Sequence, residues 1–288
     1  MWKYVNPGYG ELLDEKLGTT QSKVYNPKNG VCIGGQTSTG KINLPNLKEV
    51  YIKCNLFFKS KDNRSADFSI YFIKDNVKIG LYKQYYGYVG ANIDGTEDKY
   101  IMSFDTDKLY SFVLHIKTGI KGVVELFVDN TLVKAYNTKI AVSSFDAVQI
   151  TAQADYVSNI IISDQDIRDE NVLVVPLGEP TGTWSGISDG EAKATEVDQV
   201  LTQSLKIDDI KNTVGTDTVT SVSVAAYDIR YDSEKVNSME ASITKDVSNL
   251  TSATKSITNN AITPVTFMKN MTIDNLANTS VSFKAKKV

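Results

Sequence analysis

The sequence predicts an all-β protein, and three observations support this prediction. Apolar and polar residues alternate with a period of two in many short segments, which places successive side chains on opposite faces of a strand. Turn-forming dipeptides such as Asp75-Asn76 and Asp129-Asn130 lie between these segments. Helical spacing of apolar residues is confined to one ambiguous stretch in the second half of the chain. Regularly spaced strands without helices are typical of a β-sandwich.

The clearest strands lie in residues 109–136. Two antiparallel strands are predicted here, joined by a turn at Thr118–Gly122 and followed by a third strand after Asp129-Asn130. One face of the first strand carries Tyr110, Phe112, Leu114 and Ile116, and the other face carries Ser111, Val113, His115 and Lys117. Because a half-buried strand buries one face, we expect Leu114 and Ile116 to be more buried than Val113 and His115.

Further strands are predicted on both sides of this hairpin in the sequence. Residues 1–48 are rich in Gly, Asn, Pro and Thr, which predicts short strands and long turns. Gly34–Lys41 has a superficial likeness to a phosphate-binding loop, but Ile42 occupies the position of the required Ser or Thr and no helix follows, so a hairpin loop is expected. Further strands are predicted at 49–59, 67–74, 75–93 (two strands around Asp75-Asn76), 145–150 and 159–162.

A change of composition divides the chain near residues 163–172, and we predict one domain at 1–166 and a second at 170–288. Aromatic residues become rarer in the second part, whereas Thr, Ser and Asn become more frequent. Strands are predicted around a turn at Asp189-Gly190, and at 199–207, 218–227 and 279–284. Residues 239–257 show helical spacing but are rich in β-branched residues and Ser, so β-structure or loop is expected.

Composition argues against several functions. The net charge of −3 and the lack of a basic cluster argue against a nucleic-acid-binding protein. No apolar run approaches the roughly 18 residues that span a membrane, and the first residues lack the apolar core of a signal peptide. We therefore expect that the protein is made in a cytoplasm and that it does not insert into a membrane. One His and two Cys do not supply a usual zinc site, and no cofactor is expected. Cys54 is predicted to be buried, and a disulfide with Cys32 stays an open alternative.

Two groups of side chains are candidate binding sites. Parity places aromatic and amide residues of segment 81–93 on one face, a combination that suits sugars or a protein partner: Tyr82, Gln84, Tyr86, Tyr88 and Asn92. Four other aromatic residues also lie opposite the core face of their strands: Tyr51, Phe57, Tyr71 and Phe127. The alternative is that loops or the neighbouring domain cover this face. Asp164, Asp166 and Asp169 form a weak calcium candidate without the EF-hand pattern, and a solvated linker is the favoured interpretation, so no metal site is predicted.

Two parts of the chain resemble known families. The hairpin that ends in "ELFVDNTLV" and the segment "SNIIISD" at Ser158–Asp164 resemble the central hairpin and the closing strand of concanavalin A-like (laminin G-like) jelly-roll domains, over roughly residues 1–166. From about Val172, the segments "VLVVPL", "DGEAKATEVDQVLTQSLKI" and "TSVSFKAKKV" resemble a C-terminal β-domain of tailed-bacteriophage virion proteins. The second domain is therefore expected to be a smaller, immunoglobulin-like β-sandwich that serves as an assembly or spacer module.

No residue cluster predicts catalysis. Some jelly rolls of this kind are glucanases with a Glu-x-Asp-x-x-Glu strand, and that pattern is absent here, because Glu11–Glu15 has the wrong spacing. His115 is the only His, and no Gly-x-Ser-x-Gly elbow accompanies it. We therefore expect a protein without catalytic residues.

The resemblances imply a structural protein of a tailed-phage virion, displayed on the tail or capsid surface. Expected partners are other virion proteins, further copies in a homo-oligomer and a host-surface glycan. Two alternatives stay open: a stand-alone bacterial glycan-binding, lectin-like protein and a divergent glucanase.

Overall fold

The structure is a computed structural model that divides into two compact units, Met1–Leu173 and Val174–Val288. It describes residues 2–8, 13, 15–17, 20–22, 31–34, 39–59, 68–84, 86–153, 155–187, 192–214, 218–219, 222, 224, 234–245, 248–255 and 271–287. The described part is almost entirely β-structure, and its longest helical segments have four residues. The predicted all-β fold class is confirmed. No helix in these described ranges has the length and apolar character needed to span a membrane.

The described residues of the first unit form fifteen strands, β1–β15. Their bounds are β1 Trp2–Asn6, β2 Glu15–Leu17, β3 Thr20–Ser22, β4 Val31–Gly34, β5 Thr39–Leu47, β6 Glu49–Phe57, β7 Phe68–Lys74, β8 Val77–Gln84, β9 Tyr88–Ile93, β10 Thr96–Ser103, β11 Leu109–Lys117, β12 Gly119–Val128, β13 Thr131–Ile140, β14 Phe145–Ala152 and β15 Tyr156–Ser163. Sheet A has eight strands in the order β13-β12-β11-β6-β15-β4-β3, with β1 also paired to β15. Sheet B has seven strands in the order β10-β9-β8-β7-β14-β5-β2. All pairings in both sheets are antiparallel, as a jelly-roll sandwich requires.

One core joins the two sheets, because alternate residues of their strands enter a single buried cluster. Sheet A contributes residues such as Ile52, Leu114 and Leu126, and sheet B contributes residues such as Phe72 and Val148. Burial of apolar area at about 25 cal/mol per Å² is the main favourable term for such a sandwich. The alternation that predicted the strands is therefore the alternation that builds the core.

The predicted central hairpin is present, with one difference at its first turn. Strands β11 and β12 pair in the register Leu114↔Leu126, and Asp129 and Asn130 form the second turn in the left-handed backbone region, with φ of 48° and 63°. The predicted turn Thr118–Gly122 joins the last residues that pair between the two strands, Lys117 and Val123. The difference is that β12 already begins within this turn, because Gly119 pairs with Ile140 of β13, and the backbone of Gly122 passes too close to the Thr138 carbonyl oxygen to admit a side chain.

The expected burial difference along β11 is wrong for Val113. Leu114 and Ile116 face the core as predicted, yet Val113 is only 1% exposed and His115 only 7% exposed. The reason is that the residues after β15 cover the outer face of sheet A. Ile161, Ile167 and Val172 form a second buried cluster there, against which Val5 and Tyr51 pack. Parity assigned the face correctly but did not reveal what lies on it.

A charged pair is fully buried within the first unit. The Lys83 Nζ of β8 lies 2.7 Å from the Asp155 Oδ2, which precedes β15, so the pair links a strand of sheet B to the entry into a strand of sheet A. The other carboxylate oxygen of Asp155 accepts a hydrogen bond from the Lys59 backbone N–H at 2.8 Å. A Cβ on Gly34 would lie 2.0 Å from the Asp155 carbonyl oxygen, so only glycine admits this close approach.

The two cysteines are both buried and are not joined, so the disulfide that the sequence left open is not formed. Burial raises the pKa of the Cys54 thiol, which keeps it in the unreactive protonated form. In the segment that resembled a phosphate-binding loop, Thr39 begins β5, and residues 35–38 lie outside the described residues.

The second unit is also built from strands. Its elements are β16 Thr181–Gly182, β17 Val200–Ser204, β18 Thr218–Val219, β19 Ser238–Lys245, β20 Ser248–Lys255, β21 Met271–Thr272 and β22 Thr279–Lys286, with a short helix at Lys211–Val214 and 3₁₀ turns at Ile207–Asp209 and Ile273–Leu276. Five strands form a sheet in the order β16-β17-β22-β19-β20, and β18 pairs with β21. The immunoglobulin-like arrangement and the assembly or spacer role stay predictions.

Two local predictions in the second unit can be compared with the structure. The ambiguous stretch 239–257 lies mostly in the β19–β20 hairpin, which confirms β-structure. Ser185 and Lys193 exchange backbone hydrogen bonds of 2.9 and 2.8 Å, so the chain turns back between them. The predicted turn residues Asp189-Gly190 lie outside the described residues, as does most of the predicted strand 218–227.

Truncation of Leu126 tests the assigned register. We expect Leu126→Ala to lower the free energy of unfolding by roughly 2–5 kcal/mol, because it leaves a cavity in the core. The matched control is Leu132→Ala on the neighbouring strand, a residue that is 50% exposed and is expected to cost about 0.5 kcal/mol or less. Urea denaturation measures both variants, and equal losses for the two would contradict the register.

Removal of one partner of the buried ion pair should be costly. We expect Lys83→Met to lower the free energy of unfolding by about 3–5 kcal/mol, because the Asp155 charge stays buried without its cation. Lys59→Met is the control, since it breaks a solvent-exposed pair with Asp107 and should cost about 0–1 kcal/mol. Chemical denaturation that ranks Lys59→Met as the more damaging change would refute this assignment.

Candidate functional site

The sandwich leaves one outer face on each sheet, and the aromatic residues predicted to share a surface are divided between these two faces. Tyr71, Tyr82 and Tyr88 belong to strands of sheet B, whereas Tyr51 and Phe127 belong to strands of sheet A. Phe57 also lies in sheet A, with its ring 6.4 Å from that of Tyr156. The two groups are therefore separate surfaces.

The hairpin β8–β9 brings four of the five predicted ligand-binding residues onto the outer face of sheet B. Gln84 pairs with Tyr88, and Tyr82 pairs with Gly90, so the alternate residues of both strands share one side. Asn92 lies opposite Gly80 on the same side. Its Oδ1 accepts a hydrogen bond from the Gly95 backbone N–H at 2.9 Å.

Tyr86 does not belong to this face, which corrects the prediction. It lies in the turn between β8 and β9 with φ of 62°, and its side chain is 83% exposed. Parity along one continuous strand placed it with the others, but the chain reverses at Tyr86-Gly87. The remaining four residues kept their common face because Gln84 and Tyr88 are direct cross-strand partners.

Four tyrosines form a diagonal line across the edge of sheet B, which we call the tyrosine row: Tyr71, Tyr82, Tyr88 and Tyr100. Tyr71 pairs with Gly80, two residues before Tyr82, and Tyr82 pairs with Gly90, two residues after Tyr88. Diagonal neighbours of this kind lie about 7–8 Å apart. The Tyr88 and Tyr100 rings meet edge to face, with centroids 5.2 Å apart and planes at 84°.

Neutral polar side chains flank the tyrosine row. Gln84 and Asn92 lie on its own hairpin. On the other side, Gln149 of β14 pairs with Tyr71, and Thr151 pairs with Ser69. The face therefore combines aromatic rings with amides and hydroxyls, which is the combination found where a ligand has both apolar and polar surfaces.

Burial varies along the tyrosine row. Tyr82 and Gln84 are each 8% exposed, whereas Tyr71 and Tyr88 are half-buried and Tyr100 is 63% exposed. The Tyr82 ring lies over Gly90, where an added Cβ would be 2.9 Å from the Tyr82 Cζ and 3.0 Å from the Asp98 carbonyl oxygen. Tyr82 and Gln84 thus form the floor of the face. Sequence parity could not give this depth.

The Tyr82 hydroxyl is buried without a hydrogen-bond partner among the described residues. Burial raises the pKa of Tyr82, and the negative charges of Glu97 and Asp98 raise it further. Burial, with smaller contributions from Tyr82 and Glu97, raises the pKa of Tyr71 to about 12. Both hydroxyls therefore stay protonated at neutral pH and are able to donate hydrogen bonds.

Asp98 is held by two partners at the edge of the sandwich. Its Oδ2 lies 2.9 Å from the Lys134 Nζ and accepts a hydrogen bond from the Tyr136 hydroxyl at 2.8 Å. The hydrogen bond from Lys134 lowers the pKa of Asp98, and the one from Tyr136 lowers it further. This carboxylate is accordingly ionised and committed to neighbours on β13.

The outer face of sheet A carries a cluster of charged and aromatic residues around His115. The His115 ring stacks on Tyr51 with centroids 4.0 Å apart, and its two nitrogens lie 2.8 Å from Glu125 Oε2 and 3.0 Å from Glu49 Oε1. Although burial raises the pKa of Glu49, hydrogen bonds from Lys117 and His115 lower it below its usual value. The polar groups of this cluster contact each other, which fits the structural role expected for His115.

Residues 164–172, which we call the strap, lie across this face of sheet A. The Arg168 Cζ lies 4.6 Å from the centroid of the Phe127 ring. The backbone carbonyl oxygen of Arg168 accepts a hydrogen bond from the Lys53 Nζ. Asn130 donates a hydrogen bond of 3.1 Å to Asp169. A small polar recess of about 250 Å³ remains beside the strap and is lined by Lys53, Ser111, Asp129, Asn130, Arg168, Asp169 and Asn171.

The three aspartates of the weak calcium candidate are not brought together as a ligand set. Asp164 pairs with Lys3 at 2.8 Å, Asp166 pairs with Arg168 at 2.6 Å, and Asp169 accepts from Asn130. Within the described ranges, no group of three or more His, Cys, Asp or Glu side chains has the geometry of a metal site.

Comparisons with known proteins return structural matches only, since neither a family model nor a curated protein matches the sequence. A sialidase is 12% identical with a TM-score of 0.40, and the match covers 62% of this chain and 20% of the sialidase. An endo-β-1,4-glucuronan lyase from the fungus Trichoderma reesei is 9% identical with a TM-score of 0.44, and the match covers 59% of this chain and 98% of the lyase. The Caenorhabditis elegans galectin LEC-6 is 16% identical with a TM-score of 0.35, and the match covers 43% of this chain and 89% of the galectin. Similarities this low leave functional interpretation to the geometry of the chain itself.

The raised pKa of Tyr71 predicts a loss of stability at alkaline pH. In the folded state the Tyr71 hydroxyl has a pKa of about 12, whereas in the unfolded chain it loses its proton near the ordinary tyrosine pKa of 10.0. The favourable contribution is therefore intact below pH 10 and is lost as the pH rises toward 12. We expect Tyr71→Phe to weaken this alkaline loss, measured by urea denaturation below and above pH 10. Tyr86→Phe, a change at an exposed turn, is the matched control, and an identical pH dependence for wild type and Tyr71→Phe would contradict the prediction.

Proposed function

We propose that the chain is a non-catalytic glycan-binding protein and that the outer face of sheet B is its binding face. The observation that carries the proposal is the tyrosine row with its flanking amides and hydroxyls. A sugar ring has an apolar C–H face and a rim of hydroxyl groups. Aromatic rings match the first and the side chains of Gln149 and Asn92 match the second.

The other outer face is a weaker candidate because the chain already occupies it. The strap covers sheet A, and the polar atoms of His115 and Glu125 are engaged with each other. On sheet B, by contrast, Tyr71, Tyr88 and Asn92 are half-buried, so each keeps accessible surface. Half-buried rings are already held in place and still present area to a ligand, which limits the entropy lost on binding.

The carboxylates near the tyrosine row favour binding without turnover. A glycosidase needs one carboxylic acid with a raised pKa and a second carboxylate across the glycosidic bond. Asp98 has a lowered pKa and is committed to Lys134 and Tyr136. Glu97 on β10 is the neighbouring acid and lies 3.9 Å from Lys99. Asp98 is therefore not the protonated acid that hydrolysis requires.

We extend the proposal to multivalent display on a tailed-phage particle, with a homo-oligomer and other virion proteins as partners. A single face with a few rings and amides makes a weak site, and many copies on one particle gain avidity through effective concentration. The virion assignment is supported by the resemblance of the second part of the chain. Micrographs of purified particles labelled against this protein test it, and a stand-alone bacterial lectin would give unlabelled particles.

Tyr88→Ala tests the binding face. In native gels containing hydroxyethylcellulose, dextran or galactomannan, we expect the wild type to be retarded by at least one polysaccharide. Tyr88→Ala should weaken that retardation at least about fivefold, the loss typical of an interface residue worth more than 1 kcal/mol. Tyr86→Ala is the matched control, because it removes the same side chain from the neighbouring turn.

Two results would count against the binding face. One is a fall in melting temperature for Tyr88→Ala with unchanged retardation per folded molecule, which would give the ring a purely structural role. The other is shortening of the polysaccharide recovered from the gel, which would overturn the non-catalytic assignment.

A further inference from the structure

The Tyr82 hydroxyl is the least satisfied polar group on the proposed binding face. It is buried and has no hydrogen-bond partner among the described residues, although the rest of the side chain is well packed over Gly90. A buried donor without a partner lowers stability, and each such group calls for an explanation, of which a bound ligand is one. Tyr82 belongs to β8, between the strands that carry Tyr71 and Tyr88, and its hydroxyl lies over Gly90 of β9.

The Tyr82 hydroxyl lies beside the edge of sheet B. The Gly90 position that it overlies is also close to the Asp98 carbonyl oxygen of edge strand β10. On the same strand, Tyr100 is exposed and its ring packs against that of Tyr88, in a register irregularity between Asp98 and Met102. A bulged edge strand moves at low cost, because few cross-strand hydrogen bonds hold it. Movement of this edge would give a ligand access to the face beside Tyr82.

The charges around the tyrosine row disfavour an acidic ligand. The negative charge of Glu97 raises the pKa of both Tyr71 and Tyr82, and the negative charge of Asp98 raises the pKa of Tyr82. Lys134 pairs with Asp98, and Lys99 lies 3.9 Å from Glu97. Lys78, which lies on the same side of β8 as Tyr82, is exposed at the far end of that strand. Lys41 lies two strands beyond Tyr71, with Glu15 as its cross-strand partner. Recognition of carboxylate or sulfate groups uses Arg or Lys at hydrogen-bond distance, and the row itself presents hydroxyls and amides.

From these observations, and resting on the proposed function, we infer that the face selects neutral glycans and that Tyr82 is a specificity-determining residue whose hydroxyl donates a hydrogen bond to a sugar oxygen. The phenol is protonated at neutral pH, because burial and the acidic neighbours raise its pKa. A site built around a buried donor rejects ligands that cannot accept from it, since the donor would then stay unpaired. Tyr82 therefore contributes to recognition at a cost to the stability of the unliganded protein.

Tyr82→Phe separates this role from a structural one, because the two roles predict opposite changes. We expect the variant to raise the melting temperature by about 2–4 °C, since it removes an unpaired buried hydroxyl. We also expect it to weaken polysaccharide binding at least about fivefold. Tyr86→Phe removes the same atom from an exposed turn outside the row and should not combine a higher melting temperature with weaker binding. If Tyr82→Phe lowers the melting temperature, or leaves binding unchanged, the specificity role is refuted.

Matched pairs of polysaccharides test the neutral preference with the full chain. The native gels contain hydroxyethylcellulose or carboxymethylcellulose, dextran or dextran sulfate, and methyl-esterified pectin or polygalacturonate. Each pair keeps one backbone and changes its charge. Retardation by a neutral member, and at least about tenfold weaker retardation by its acidic counterpart at low salt, supports the inference, because like-charge repulsion is least screened there.

The remaining outcomes distinguish the two proposals. Equal or stronger retardation by the acidic member, lost in Tyr88→Ala, would overturn the neutral preference while keeping the binding face. Absence of retardation by all six polysaccharides and by galactomannan would overturn the proposed function for these glycans together with the inference that rests on it.

Discussion

The burial of one face of each sheet in a shared core is the constraint on which the first unit depends. Strand pairing fixes the register, and a slip of one residue would move every core side chain to the outer face. Leu114 opposite Leu126 and Ile70 opposite Leu81 are the kind of pairs that hold this register. The tyrosine row follows from the same constraint, because its members are the residues that the core leaves on the other side of sheet B.

The outer faces of the two sheets differ in how far their side chains contact other parts of the chain. On sheet A the strap, the stacked pair Tyr51–His115 and the flanking glutamates satisfy each other, and even Val113 is buried. On sheet B the Tyr71 and Tyr88 rings stay half-buried, Tyr100 is exposed, and the Tyr82 hydroxyl has no partner among the described residues. Consistency at every level is the rule in a folded protein, and a local exception is where function is expected. This contrast is the physical reason for placing the binding face on sheet B.

The buried pair Lys83–Asp155 shows what the core tolerates. Lys83 occupies a core-facing position beside Leu81, a place where an uncompensated charge would be costly. Asp155 supplies the opposite charge at the entry to β15, so the pair ties sheet B to sheet A. A buried ion pair adds little net stability, but it fixes one arrangement of the elements that contribute to it. Through Lys83 it also fixes the end of β8, where Gln84 and Tyr82 lie.

The sequence by itself determined most of the strands and turns and the core-facing side of the clearest strands, because alternation and turn chemistry are local properties of the chain. It also placed Tyr82, Gln84, Tyr88 and Asn92 on a common face, and the structure agrees. It did not predict β10 at Thr96–Ser103. It could not exclude Tyr86, because the reversal at that point carries no Asn-Gly or Asp-Gly signal. Only the tertiary structure decided that Tyr51 and Tyr71 lie on different sheets, that the strap buries Val113, and that Asp155 meets Lys83. These depend on contacts between distant parts of the chain, which packing selects and which no local pattern encodes.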